Sequence, residues 1–176
     1  MKATVEPVST VPIAGAVVLG ATSNPAVIRM EGPCEATTFN AVLGPGACIG
    51  NGHITFAHFI AELTAARNVG AWQFDPAAGT LSAGTVLSLD NRAGEVHTFT
   101  KVEEFGGGFV TELNASSGNP IPAPECLLPP SDSNIFVEAE TTEVGPTAGS
   151  SILPSGKTTK FQCCIHPWMR TELRAK

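Results

Sequence analysis

FQCCIHPWM, residues 161–169, places Cys163, Cys164, His166 and Met169 within seven consecutive positions close to the end of a 176-residue chain. Thiolate, thioether and neutral imidazole together suit copper, whereas calcium, magnesium and manganese prefer oxygen donors. Cys163, His166 and Met169 follow a C-x2-H-x2-M spacing, so a loop leaving a strand can bend all three side chains toward one centre. A histidine carried by another strand would complete a shell of two imidazoles and one thiolate with a weak axial thioether.

The segments upstream supply strands. AWQF (71–74), TVLSLD (85–90), VHTFTKV (96–102), FVTEL (109–113), NIFVEAE (134–140) and TTKFQCC (158–164) are short, β-prone and bounded by Gly, Pro, Asn or Asp. A final strand at 170–174 makes about seven. Each sheet face must be covered by another, so two packed sheets are expected. The 18 Gly and 14 Pro scattered between apolar runs fit turns joining strands and argue against a helical bundle. Residues 115–133, rich in Pro and Ser, read as a connection. His97 lies inside the 96–102 strand; alone it would be read as a half-buried histidine bonded to backbone.

One helix interrupts this pattern. Phe56, Phe59, Ile60 and Leu63 recur at spacings of three and four, with Thr55 placed to cap the start and Asn68 and Gly70 to stop it. His53 and His58 are five apart and do not share a helix face, so exposed or capping roles are expected for both.

Five cysteines, at 34, 48, 126, 163 and 164, cannot all pair within one chain. A metal taking one thiolate would leave four for two bridges, which points to an oxidising compartment. A Cys34–Cys48 bridge would close a loop worth about 3 kcal/mol on chain-entropy grounds. Net charge of -6 without a basic block gives a nucleic-acid partner no support. No run of 18 apolar residues is present, so no membrane span is expected. VPIAGAVVLGA (11–21) can be read as the apolar part of an export signal, for which Lys2 is the only positive flank, or as an N-terminal arm or edge strand. The HExxH, GxSxG and P-loop motifs are absent from the sequence.

AGEVHTFT followed by KFQCCIHPWM resembles the cupredoxins, the blue copper proteins, over roughly residues 71–176, and Pro167 and Trp168 match the family's H-P-aromatic-M form. The resemblance implies an all-β Greek-key sandwich of about seven strands, with His97, Cys163 and His166 as strong ligands to one copper ion cycling between Cu+ and Cu2+, and Met169 as the axial ligand. It also implies that Cys164, on the opposite face of the strand from Cys163, is left for a bridge to Cys126 or remains a free buried thiol. The edge of His166 would lie close to the surface, where a redox partner docks. The expected division is an N-terminal arm (1–33), an extension with one short helix (34–70) and a copper-binding domain (71–176), with an inserted excursion within 105–150. The role implied is a monomeric one-electron carrier, not an enzyme, in the periplasm or outside the cell. Copper oxidases and nitrite reductases of this fold need further histidine-bound coppers, and only four histidines are present. A copper-delivery module, or a structural domain with a zinc-filled or empty site, is the alternative.

Overall fold

The computed structural model describes residues 25–176; the 11–21 segment, with both of its readings, lies outside the described residues. Two sheets face each other. The first runs β2 (Gln73–Asp75), β1 (Ala26–Glu31), β4 (Val86–Asn91), β7 (Thr142–Thr147). The second runs β3 (Ala78–Leu81), β9 (Arg170–Ala175), β8 (Thr158–Gln162), β5 (His97–Val102), β6 (Asn134–Val137). The all-β sandwich expected from the sequence is observed, with nine strands among the described residues in place of seven. Alternation sets the core: Ile28 and Met30 of β1, Leu87 and Leu89 of β4, Phe161 of β8 and Leu173 of β9 point inward, and Phe74 meets Phe99 across the sheets with ring centroids 5.6 Å apart.

The sandwich starts upstream of residue 71. β1 lies inside the first sheet, parallel to β4 and antiparallel to β2, so residues 26–31 belong to the core rather than to an arm. β7 contains Pro146, which an edge strand tolerates because one side of its backbone needs no ladder.

Two helices fill the 34–70 segment. α1 (Ala36–Leu43) is capped by the Glu35 carboxylate, which accepts from the Thr37 and Thr38 amides and is held down at about 2 by those bonds. α2 (Phe56–Ala66) is the helix read from spacing; Thr55 Oγ1 accepts from the His58 amide at 3.3 Å, and the helix ends on Arg67 in the left-handed region, just before Asn68. Thr55→Ala is expected to lower stability by about 1 kcal/mol. Urea denaturation checks this, and an unchanged midpoint would remove the cap from the account. Phe39, Phe59 and Trp72 interlock, with Phe39 and Trp72 stacked at 5.9 Å and Phe59 edge-on to Trp72 at 4.9 Å, and bind the helical segment to the sandwich.

The 109–113 stretch is not a strand. It opens α3 (Thr111–Ser116), part of an excursion that returns through a 3-10 turn at Pro124–Leu127. The excursion covers the outer face of the second sheet, where Val102, Ala123, Cys126 and Cys164 form a smaller core beside Phe105. With this cover on one face, Thr98 and Thr100 are buried there while His97 and Phe99 are buried on the other, so β5 is enclosed on both faces. Among the described residues no helix is long and apolar enough to cross a membrane.

Candidate metal centre

Two connections converge at one end of the sandwich. Asn91, buried at the end of β4, donates through Nδ2 to the carbonyls of Glu95 (2.9 Å), Val137 (2.9 Å) and Glu138 (3.0 Å) and accepts the Ala93 amide at 2.9 Å. These bonds fix the turn that delivers His97 to the first position of β5. From β8 to β9 the chain crosses a tight loop: the Cys163 amide donates to the Met169 carbonyl at 3.0 Å and the Met169 amide to the His166 carbonyl at 2.9 Å. Arg170 braces it by donating to the Pro167 carbonyl at 2.7 Å.

His97, Cys163 and His166 thereby meet. Nδ1 of His97 lies 3.2 Å from Nδ1 of His166, and Cys163 Sγ lies 3.6 Å and 3.9 Å from them respectively. All three residues are buried, and Cys163 is the free cysteine among the described residues. Three donor atoms at these separations match a single ion held at about 2.0–2.3 Å from each, the reach of imidazole nitrogen and thiolate on a zinc-sized ion. The donor set fits a soft or borderline transition metal. The Thr98 amide lies 3.4 Å from Sγ as a donor that favours the thiolate.

Burial dominates the electrostatics. It pushes the Cys163 thiol up, against amide bonds from Thr98, His166 and Ile165 that favour the thiolate. It holds His97 down at about 3 and His166 well below its ordinary value, the latter helped by the charge His97 would carry. Both imidazoles are therefore unprotonated, as ligation requires. Glu95 is raised to about 7 by burial, opposed by the bond it accepts from the Trp72 indole at 2.8 Å.

These shifts set a pH dependence for the metal-free protein. Below the ordinary imidazole value of 6.5 the unfolded chain takes up protons that the folded His97 and His166 refuse, so their contribution is lost as pH falls, at about 1.4 kcal/mol per pH unit for each. Glu95 acts in the opposite sense: the folded state keeps its proton between about 4.5 and 7, so its contribution is lost as pH rises through that interval. It offsets roughly one imidazole there. Urea denaturation is expected to show a shallow loss of stability from pH 6.5 to 4.5 and a steeper loss below; constant stability down to pH 3.5 would contradict the burial of the two rings.

Met169 is fully buried at the end of the loop. Cys126 and Cys164 are bridged, as are Cys34 and Cys48. His53 and His58 are both exposed. The ring of His166 is covered, although it lines a cavity that opens at the surface. His166 is 3% exposed, because Phe59 of α2 and Trp168 pack edge-on or tilted around it, with Phe59–His166 and Trp168–His166 centroids 6.2 Å and 5.4 Å apart. Its Nε2 faces the Glu95 carboxylate at 3.9 Å. Asn91 and Glu95 are the residues that sequence reading misses. Asn91 looks like an ordinary turn residue in LDNRAG, and Glu95 gains its place beside His166 only through long-range packing.

The sequence matches no protein-family model and no curated protein. Among solved structures, it is similar to a purple cupredoxin from Nitrosopumilus maritimus, with 10% identity and a TM-score of 0.44 over 86% of this chain and 99% of that one. It is also similar to a reduced Cu(I) amicyanin variant, with 14% identity and a TM-score of 0.37 over 62% and 78% of the two chains. A mutant fern plastocyanin gives 19% identity and a TM-score of 0.37 over 62% and 93%. These structural neighbours are cupredoxins, the family that the His97 and Cys163–Met169 motifs resemble.

Proposed function

We propose that the chain is a mononuclear copper protein that carries one electron at a time between redox partners, not an enzyme. The convergence of His97 Nδ1, Cys163 Sγ and His166 Nδ1 in a buried site carries this reading. Copper bound there supplies a one-electron couple that sulfur and imidazole donors both tolerate. The chain's own contribution is a fixed donor set. The 163–169 loop is tied by its internal bonds, Asn91 fixes the approach to His97, and burial keeps both rings neutral before any ion arrives. Such a site needs little rearrangement on electron transfer and sheds water, as the walls of Phe59 and Trp168 require. Met169 is the proposed axial donor. Two disulfides support a periplasmic or extracellular setting.

Burial of all three strong donors favours a carrier over a delivery module, which must release its ion to an acceptor. Cyclic voltammetry of the copper-loaded protein is expected to give a reversible one-electron wave, with slow loss of copper to a competing chelator. Rapid loss with no reversible wave would favour delivery. Met169→Gln is expected to retain the metal and lower the reduction potential; an unchanged potential would remove Met169 from the shell.

A further inference from the structure

The helical segment that buries His166 leaves a cavity of about 350 Å3 beside it. Phe39, Phe56, Phe59 and Leu113 line it, while Glu95 and His166 are its buried polar groups. Glu95 is 7% exposed and its Oε2 accepts the Trp72 indole N–H at 2.8 Å; among the described residues no hydrogen bond reaches its Oε1. A carboxyl oxygen free of protein partners and open to a chamber whose other walls are mostly rings and aliphatic chains is a polar group positioned for something that enters.

We propose that this cavity binds a small neutral phenol, with the aromatic ring laid against the packed cluster of Phe39, Phe56 and Phe59 and the hydroxyl on Oε1 of Glu95. A ring laid against these side chains gains edge or face contacts that an aliphatic guest of equal area does not. A hydroxyl can donate to a carboxylate or accept from a carboxylic acid, so the match does not depend on where the Glu95 proton resides. Anions find no cationic side chain among the lining residues and face Glu112 at the rim. Cations would lose water to apolar walls beside the proposed metal centre, where the inner carboxyl is already shared with Trp72. The volume falls in the range of small-molecule sites. A guest seated there touches the same His166 that the walls hide from larger partners.

The site goes beyond the copper-carrier reading and does not require it, so both are tested separately by titrating the full chain before and after copper loading. Isothermal titration with phenol is expected to show one site, with toluene at least tenfold weaker and benzoate and benzylammonium without measurable binding. Ile60→Trp, at the 36% exposed rim, is expected to weaken phenol at least tenfold while leaving copper uptake and its spectrum unchanged. If circular dichroism shows that this variant is misfolded, Val42→Trp, at a 61% exposed position on α1, serves in its place. Equal affinity for phenol and toluene would overturn the role of Glu95, tighter binding of benzylammonium would overturn the neutral guest, and undiminished phenol binding in the rim variant would overturn the location. No binding of phenol before or after copper loading would overturn the site as a whole, whatever the spectrum of the copper protein.

Discussion

Cys163→Ser is expected to abolish the intense visible band of the copper-loaded protein and to lower copper affinity at least about 100-fold, beyond the range typical of losing a residue that merely supports a ligand. The sulfur is the one anionic donor in the group, and both imidazoles are neutral. Serine differs by one atom and leaves Cys164 in its bridge, so the fold should persist. Chelator competition measures the affinity and circular dichroism checks the fold. A folded variant that keeps both band and affinity would show that another residue supplies the thiolate.

Removing the neighbouring bridge is expected to act on stability. Cys126 and Cys164 are separated by 38 positions, and closing a loop of that size contributes about 4 kcal/mol in the chain-entropy model. Cys126→Ala with Cys164→Ala should therefore lower the melting temperature by roughly 8–16 °C for a chain of this length. The bridge staples the excursion to the outer face of the second sheet, where the Phe109 amide also donates to the Cys164 carbonyl at 2.9 Å. Just past the end of β8 the two adjacent cysteines divide the work: Cys163 faces the donors and Cys164 the cover. Thermal and urea denaturation of the double variant measure the effect. A loss under about 1 kcal/mol would mean that packing of Val102, Ala123 and Phe105 holds the excursion without the bridge.

The site was legible where it is local. C-x2-H-x2-M is written on one loop, and the β-strand pattern around 96–102 places His97 on a strand that reaches it. Alternation and turn residues likewise mark β4, β5, β6, β8 and β9. What escaped depends on distant parts of the chain. FVTEL is rich in residues that favour strands, yet Val110 precedes the α3 helix because the excursion folds onto an already complete sheet. α1 is obscured by the β-branched Thr37, Thr38 and Val42 and by the turn beginning at Gly44. β3 and β7 contain Gly79, Gly145 and Pro146, which weaken the strand signal and are accommodated at sheet edges. The enclosure of His166 could not be read from its own neighbours, since Phe59 arrives from a helix more than a hundred positions upstream.

The central claim is that His97, Cys163 and His166 bind one copper ion together. Copper X-ray absorption on protein titrated with cupric ion tests it most directly: saturation is expected at one equivalent, with one sulfur and two imidazole nitrogens as the strong donors. Saturation at a different ratio, or a shell of nitrogen and oxygen without sulfur, would contradict it.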